Sequence, residues 1–176
     1  MTVFLDRDGT LIHDYGRNHL GDLHRIRFLP GVFEGLALLS RAGVRLIVVT
    51  NQGAVNMGLL SFEGMRAMNK AVSQILAGRG IHLNAIFYCP HSPGENCGCR
   101  KPRDGMGTQA RLRTEVMGRL FMVGDKGVDV GFGRAIGART ILLPRGDGGS
   151  LLEGWDMKPD FRAPDFQAAV RWILRS

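Results

Sequence analysis

Short apolar runs alternate along the chain with longer stretches in which apolar residues recur every three or four positions. The runs are continuous and rich in β-branched residues, as in strands buried on both faces of a parallel sheet. They predict strands at 2–6, 44–50, 84–89, 119–125, 138–144 and 160–163. The stretches between them predict helices at 31–42, 62–79, 105–118, 127–136 and 165–175. This order indicates an α/β protein with a doubly wound, mostly parallel sheet and helices on both faces.

Residues that commonly begin and end helices stand at the predicted boundaries. Ser61 and Asp165 precede the second and fifth helices, where their side chains can accept a hydrogen bond from a free backbone N–H group. Gly43 and Gly137 follow the first and fourth helices, where glycine permits the left-handed backbone that ends many helices. These residues support the predicted order of elements.

Two segments follow neither period. Residues 10–29 lie between the first strand and the first helix, and we expect them to form a flap or hairpin over the edge of the sheet. Residues 145–159 are rich in Gly and Asp, and we expect a surface excursion there. The chain has 176 residues, of which 44% are hydrophobic, so we expect one compact domain, 1–176, with a real core.

Composition narrows the environment and the partners of this domain. The formal net charge is +7, yet 19 of the 23 basic residues are arginines scattered along the chain. This spread favours a generally basic surface, or small anionic substrates, over a face that binds nucleic acid. No apolar stretch is long enough to span a membrane, and the N-terminus enters a strand without a signal-like segment. We therefore expect a soluble, cytoplasmic monomer.

Two carboxylates follow the first strand in the sequence Asp6-Arg7-Asp8-Gly9. In an extended chain alternate side chains point the same way, so Asp6 and Asp8 should face one side. Two carboxylates held close together repel one another unless a cation or a shared proton lies between them, which points to Mg²⁺. A polar strand end that only precedes a turn has the same composition, so the pair alone leaves both interpretations open.

Three further polar groups stand at or beyond the ends of predicted elements, where ligands bind in an open α/β sheet. The sequence Thr-Asn-Gln-Gly at 50–53 offers a hydroxyl and backbone N–H groups that suit phosphate oxygens, although the same residues also make ordinary turns. Arg100 and Lys101 would neutralise phosphate charge or lie in a solvated loop. Asp125 is placed to complete a Mg²⁺ site, whereas Asp129 could equally support the loop or a helix N-terminus.

In this order, "DRDGT", "TNQ", "RKP" and "GDKGVD" resemble the motifs of the haloacid-dehalogenase-like (HAD) phosphotransferases, over nearly the entire chain. The resemblance implies a Rossmann-like fold with a short flap in place of a large cap. It implies that Asp6 is the nucleophile, and that Asp8 is first the acid and then the base. It implies Mg²⁺ held by the Asp6 carboxylate, the Asp8 backbone carbonyl and the Asp125 carboxylate. The residues implied to bind the phosphoryl group or the rest of the substrate are Thr50, Asn51, Lys101, Arg100 and Lys126.

All three cysteines fall within residues 89–99, as Cys89 and His91 followed by Cys97 and Cys99. An odd count speaks against a complete set of disulfides, and a reducing cytosol leaves thiols available to a metal. A tight loop with Pro and Gly lets the four side chains converge on a tetrahedral Zn²⁺. We expect a closed, structural zinc site that fixes the two cations after it; free thiols are the alternative.

A zinc loop directly before "CRKP" resembles the small-capped branch of the superfamily. That branch holds the D-glycero-D-manno-heptose 1,7-bisphosphate phosphatases and the histidinol-phosphate phosphatases. The free-standing length favours the heptose enzymes, whereas "DGTLI" leans toward the histidinol enzymes. Met57 stands where the heptose enzymes usually carry Arg, and Asp104 where Pro is usual. The catalytic motifs are intact while these positions differ, as a changed sugar-phosphate substrate would produce.

Three functional classes are consistent with the sequence. The first is a Mg²⁺-dependent phosphatase of a small sugar phosphate, such as a heptose bisphosphate, with histidinol phosphate as the alternative substrate. The second is a phosphatase of nucleic-acid 3′ ends, which the positive charge suggests and which predicts binding that weakens steeply with salt. The third is a zinc-stabilised binding module without activity, which the presence of both Asp6 and Asp8 disfavours.

Other conspicuous side chains have simpler expected roles. We expect the histidines outside the zinc loop to lie at the surface, and the tryptophans to pack in the interior. The methionines near the second helix suit a buried helix face. These residues are His13, His19, His24 and His82; Trp155 and Trp172; and Met57, Met65 and Met68.

Overall fold

A computed structural model of the chain describes residues 1–16, 20–144 and 158–176. Most of the expected excursion at 145–159 lies outside the described residues, as do His19 and Trp155. Six parallel strands form one sheet in the order β3-β2-β1-β4-β5-β6. Their bounds are Thr2–Leu5 for β1, Arg45–Asn51 for β2, Ala85–Cys89 for β3, Leu120–Gly124 for β4, Arg139–Leu142 for β5 and Phe161–Arg162 for β6. The predicted strands and the doubly wound fold are confirmed.

Five helices connect or follow these strands. They are Val32–Arg41 (α1), Phe62–Ala77 (α2), Gly105–Arg113 (α3), Gly127–Ala135 (α4) and Phe166–Arg175 (α5). The predicted caps are confirmed at two of them, because the Ser61 side chain accepts a hydrogen bond from Gly64 N–H at 3.0 Å and Asp165 accepts one from Ala168 N–H at 2.6 Å. Among the described residues, no helix has both the length and the apolar character needed to cross a membrane.

Helix α3 is shorter than the sequence predicts. It ends at Arg113, whereas the apolar periodicity continues to 118, and Thr114 has an extended backbone at φ −148° and ψ 166°. The Thr2 hydroxyl accepts a hydrogen bond from the backbone N–H of Met117 at 3.0 Å. This contact between distant parts of the chain holds the segment before β4 beside the start of β1, where a helix could not continue.

Alternate residues of the strands face two different layers of helices. Val3 of β1 belongs to a core cluster with α1, α2 and α5, whereas Phe4 belongs to a second cluster with α3 and α4. Phe4 packs edge-on against Phe132 of α4, with ring centroids 5.9 Å apart. The predicted packing role of Trp172 is confirmed by its stacking on Phe161 at 5.2 Å. Because both faces of the sheet are covered, its carboxyl edge is the natural place for a ligand.

The methionines predicted for one buried helix face divide into two groups. Met65 and Met68 are buried on α2, as predicted. Met57 is 41% exposed, so its predicted core position is wrong. The reason is that α2 begins only after Ser61, and residues 53–60 form turns at the surface.

The described residues between β1 and α1 leave the sheet, and the two ends of this segment lie side by side. Ile12 pairs with Phe28 in an isolated antiparallel bridge, and Leu29 N–H donates to the Leu11 carbonyl at 3.0 Å. A short 3₁₀ helix, Leu23–Arg25, lies within the loop that these two contacts close. The described parts of 10–29 therefore form a small excursion next to the carboxyl end of β1.

Candidate active site

The carboxyl ends of β1 and β4 meet at the centre of the sheet, where the strand order changes direction. Asp6 follows β1, Asp125 follows β4, and Asp129 lies in the first turn of α4. All three side chains are buried and offer oxygens that lie within 4.8 Å of one another. Carboxylates at this spacing repel one another unless cations lie among them, and a set of carboxylate oxygens suits Mg²⁺.

Two glycines let the chain bring these carboxylates together. Gly9 has φ +85°, a backbone conformation that other residues rarely adopt, and a Cβ there would overlap the carboxylate of Asp125. A Cβ at Gly124 would overlap the side chain of Asp129. The glycine of "DRDG" is thus required by the close approach of Asp125 as well as by the turn.

Lys101 is the cation buried among the carboxylates. Its Nζ donates to Asp6 Oδ1 at 2.7 Å, contacts Asp129 Oδ1 at 2.6 Å, and donates to the Val49 carbonyl at 2.8 Å. The side chain of Asn51 fixes the Lys101 backbone, accepting from its N–H at 3.0 Å and donating to its carbonyl at 3.1 Å. Three acceptors match the three protons of the ammonium group, so Lys101 is held in one position.

The buried charges perturb one another strongly. Burial raises the pKa of Asp6 to about 6, and Asp129 adds to the rise while Lys101 opposes it. Burial disfavours the charge on Lys101 and Lys126 as well, yet the surrounding carboxylates raise the pKa of both above the ordinary value. Asp6 therefore binds a proton more readily than an exposed carboxylate does, and a metal cation would relieve the same repulsion.

Asp8 is held by a different set of partners. Arg7 donates to its two oxygens, from Nε at 3.1 Å and from Nη2 at 2.9 Å, and Gln52 Nε2 donates to Oδ2 at 2.7 Å. Although burial acts in the opposite direction, Arg7 and Gln52 hold the pKa of Asp8 below its usual range. Neither partner was predicted from the sequence, although Arg7 stands inside "DRDGT" and Gln52 inside "TNQ".

Lys126 and Asp129 link the carboxylates to the start of α4. Lys126 Nζ lies 3.4 Å from the Asp8 carbonyl and forms ion pairs with Asp14 at 3.2 Å and with Asp125 at 3.6 Å. Asp129 Oδ2 accepts a hydrogen bond from the backbone N–H of Lys126 at 3.0 Å, while its other oxygen faces Lys101. Asp129 thus caps the helix and also belongs to the charged cluster.

A cleft of about 610 Å³ opens over this cluster. Its wall includes part of the 10–29 segment, where the ring of His13 stacks on Tyr15 with centroids 5.8 Å apart. His24 and His82 are exposed, as expected. Asp125 is buried next to Gly9. The predicted site residues that line the cleft are Asp6, Asp8, Thr50, Asn51, Arg100, Lys101 and Lys126.

The cysteines and His91 converge at the end of β3. Cys89 Sγ lies 3.7 Å from Cys97 Sγ and 3.5 Å from His91 Nδ1, and that nitrogen lies 3.2 Å from Cys99 Sγ. Ligands at about 2.0–2.3 Å from a tetrahedral zinc ion are separated by about 3.5–3.8 Å, so the spacing suits zinc. All three cysteines are free thiols. Sulfur and nitrogen atoms thus lie together here, separate from the oxygen atoms of the carboxylate cluster.

This loop is joined to the cleft through its backbone. The Cys89 carbonyl accepts a hydrogen bond from Gln52 N–H at 2.7 Å, and the His91 carbonyl accepts one from Arg100 Nη1 at 3.0 Å. A Cβ at Gly53 would lie only 3.0 Å from the same carbonyl and from Arg100. The loop with the three cysteines and His91 is therefore packed against the residues that contact Asp8 and line the cleft.

Comparisons with known proteins identify the family of the chain. A family model described as HAD-hydrolase-like matches residues 98–169. The D-glycero-β-D-manno-heptose-1,7-bisphosphate 7-phosphatase of Vibrio cholerae is 38% identical over 151 residues, covering 81% of this chain and 80% of the relative. The protein of the same name from Escherichia coli K12 is 32% identical, covering 99% of this chain and 88% of the relative.

A solved structure extends the similarity to three dimensions. The D,D-heptose 1,7-bisphosphate phosphatase of B. bronchiseptica, in complex with magnesium and phosphate, superposes with a TM-score of 0.86 at 28% identity. The match covers 99% of this chain and 98% of that one. The chain belongs to the HAD-like phosphatases, enzymes that hydrolyse phosphate monoesters, and to the family that contains the heptose-bisphosphate phosphatases.

Proposed function

We propose that this protein is a Mg²⁺-dependent phosphatase that removes the 7-phosphate of D-glycero-β-D-manno-heptose 1,7-bisphosphate through an aspartyl-phosphate on Asp6. The observation that carries the proposal is the buried group of Asp6, Asp125 and Asp129, two of which contact the buried Lys101, beside a cleft. Charges of both signs are gathered there at the topological switch point of the sheet, where α/β proteins bind their ligands.

The carboxylates fit a divalent cation with oxygen ligands. Asp6, Asp125 and the Asp8 carbonyl would hold Mg²⁺, while Asp129 is engaged with Lys101 and keeps that lysine in place. When bound, Mg²⁺ supplies positive charge that stabilises the oxygens of the reacting phosphoryl group. Lys101, the Thr50 hydroxyl and the Asn51 backbone would contact the same oxygens, and Arg100 and Lys126 the rest of the substrate.

In the first step, an Asp6 oxygen attacks phosphorus while the bond from phosphorus to the sugar oxygen breaks. Asp8 donates a proton to that oxygen, so the sugar leaves as a neutral alcohol. In the resting protein Arg7 and Gln52 keep Asp8 ionised. A phosphate group that binds beside Asp8 brings like charge, which raises the pKa of the carboxyl and favours the protonated form that the step needs.

In the second step, water attacks the phosphorus of the aspartyl-phosphate. Asp8 accepts a proton from that water, and the bond between Asp6 and phosphorus breaks to release phosphate and the free carboxylate. Lys101 remains beside Asp6 throughout, where it stabilises the carboxylate that leaves.

The Cys89, His91, Cys97 and Cys99 site would hold a structural zinc ion. Four protein ligands leave no position for water or substrate, so this metal takes no part in the reaction. It would instead hold the loop whose carbonyls contact Gln52 and Arg100. Metal analysis of the purified protein should find about one zinc per chain, as one four-ligand site requires.

The two departures from the heptose enzymes lie away from the reacting groups. Met57 is exposed in the turns before α2, and Asp104 is exposed at the start of α3. Neither residue is among those that line the described part of the cleft. They therefore give no reason to prefer another substrate over the one in the relatives' names.

We propose that residues 10–29 act as the flap of one catalytic unit, 1–176, and contact the sugar.

A phosphate-release screen tests the substrate. We expect the heptose 1,7-bisphosphate to give the highest kcat/KM, with activity that requires Mg²⁺ and changes little with salt. Histidinol phosphate and a 3′-phosphorylated oligonucleotide are the comparison substrates. A higher kcat/KM on histidinol phosphate would show that the sugar phosphate is not the preferred substrate. A preference for the oligonucleotide, with an affinity that falls steeply as salt rises, would instead indicate a nucleic-acid substrate.

A further inference from the structure

Arg7 is a buried arginine with partners on two sides. Only 4% of the residue is exposed. Its Nε and Nη2 donate to the two oxygens of Asp8, at 3.1 and 2.9 Å, and its Nη1 donates to Oδ1 of Asn69 at 2.6 Å. A guanidinium group is planar and rigid, so donors fixed on both sides determine its orientation. The orientation of the Asp8 carboxylate is therefore tied to Asn69.

Asn69 lies on α2, far from every sequence motif of the site. It is buried, and its Nδ2 lies 3.2 Å from Sδ of Met65 one turn earlier on the helix, which directs Oδ1 toward Arg7. The same helix otherwise buries Met65, Met68, Val72 and Leu76. A polar side chain in such a face costs free energy unless it is hydrogen-bonded, and the Arg7 contact is the short bond that compensates it.

We propose that Asn69 and Arg7 are positioning residues that fix the Asp8 carboxylate for proton transfer. This inference rests on the acid and base roles proposed for Asp8. In both steps the proton moves between Asp8 and an oxygen at phosphorus, first to the departing sugar oxygen and then from the attacking water. Each transfer requires Asp8 within hydrogen-bond distance of that oxygen, and a displacement of about 1 Å can cost a hundredfold in rate.

The test compares two leaving groups. A sugar oxygen must be protonated as it leaves, whereas p-nitrophenolate leaves as a stable anion and needs no acid. Asn69→Leu should lower kcat on the heptose bisphosphate by about tenfold to a hundredfold, with KM changed less than about twofold. The pre-steady-state burst of p-nitrophenolate from p-nitrophenyl phosphate should keep its wild-type rate constant, because that step does not use the acid.

Three further variants separate positioning from packing. Asn69→Asp keeps an acceptor for Arg7 and should restore most of kcat. Val72→Ala, on the same buried helix face, should lower Tm and leave both rates unchanged. Arg7→Lys keeps the positive charge but loses the planar guanidinium group. It should show a slower kcat on the sugar substrate and an unchanged burst rate, and it tests the inference independently if Asn69→Leu does not fold.

Two outcomes would overturn the inference. Wild-type kcat in Asn69→Leu and Arg7→Lys would show that Asp8 needs neither residue, and an equal loss of the sugar rate and the burst rate would show a general structural defect. The proposed role of Asp8 is tested separately by Asp8→Asn. If that variant kept wild-type kcat on the sugar substrate, the acid and base assignment would fail; if only Asp8→Asn were slow, the positioning role alone would fail.

Discussion

Replacing Asp6 by Asn should abolish turnover and at the same time stabilise the magnesium-free protein. Turnover is lost because a neutral amide cannot attack phosphorus. The stability gain follows from the environment of the carboxylate, because burial and the nearby Asp129 raise the pKa of Asp6 from 3.8 to about 6 in spite of Lys101. Asp6 is therefore harder to ionise in the folded protein than in the unfolded chain.

The sign and size of this effect follow from the two pKa values. Below about pH 4 Asp6 is protonated in both states, and no stability is lost. As the pH rises toward 6 the unfolded chain releases its proton first, so the folded state loses stability, and above about pH 6 the loss is complete. A shift of about two units corresponds to about 3 kcal/mol, and about half of that is lost at pH 5.

The difference in stability between wild type and Asp6→Asn can be measured by thermal unfolding in magnesium-free buffer. The buffer should contain no chelator, because a chelator would also remove zinc from the proposed Cys and His site. At about 2–4 °C per kcal/mol, Asp6→Asn should melt up to about 10 °C above wild type at pH 7.5, with a smaller gap at pH 5. Added Mg²⁺ should raise the Tm of wild type far more than that of the variant.

Asp8→Asn provides a matched control of opposite sign. It leaves the buried Arg7 without its counter-charge, which should cost about 1–3 kcal/mol. If Asp6→Asn is less stable than wild type at pH 7.5, or if the difference in Tm between them does not change with pH, the Asp6 carboxylate does not destabilise the folded protein as its raised pKa implies.

Four other perturbations test separate parts of the account. The affinity for Mg²⁺, measured by calorimetry, should fall about tenfold per pH unit below about pH 6 as Asp6 takes up a proton, and a flat profile would contradict the raised pKa. Gly9→Ala should destabilise the protein by about 1–3 kcal/mol and weaken Mg²⁺ binding. Gly16 also has a positive φ, +65°, but a Cβ there would have no atom within 4 Å, so Gly16→Ala should leave Mg²⁺ binding intact. Lys101→Met should lower kcat by about 10²–10³, and a loss under about tenfold would remove it from the site. Cys97→Ser should lose zinc, lower Tm and weaken substrate binding while the remaining activity still depends on Mg²⁺; activity sustained by zinc alone would contradict the division between the two metals.

The sheet and most helices could be predicted because their signals are local. β2 is a continuous apolar run, and Ser61 and Asp165 cap helices through bonds to residues three positions away. The end of α3 could not be predicted in the same way. It depends on the bond between Thr2 and Met117, which joins residues 115 apart in sequence.

The residues of the candidate site likewise differ in whether a local sequence signal predicts them. Asp6 and Asp125 were identified because each follows an apolar strand, and a parallel sheet brings such positions to one edge. The convergence of the three cysteines and His91 could be predicted because all four fall within residues 89–99. The contact of Asn69 with Arg7 had no local signal, since a lone Asn on a helix is ordinary until the fold places it against a buried guanidinium.

Chemical trapping can detect the aspartyl-phosphate that we propose on Asp6. Wild-type enzyme mixed with the heptose bisphosphate and Mg²⁺, quenched in acid and reduced with borohydride, would convert a phosphorylated aspartate to homoserine, which peptide mass spectrometry locates. We expect homoserine at Asp6 in wild type. We also expect it in Asp8→Asn with p-nitrophenyl phosphate as the substrate, because that leaving group needs no acid while the slower hydrolysis of the intermediate lets it accumulate. Homoserine at another aspartate, or phosphate release with no trapped residue in either protein, would contradict this expectation.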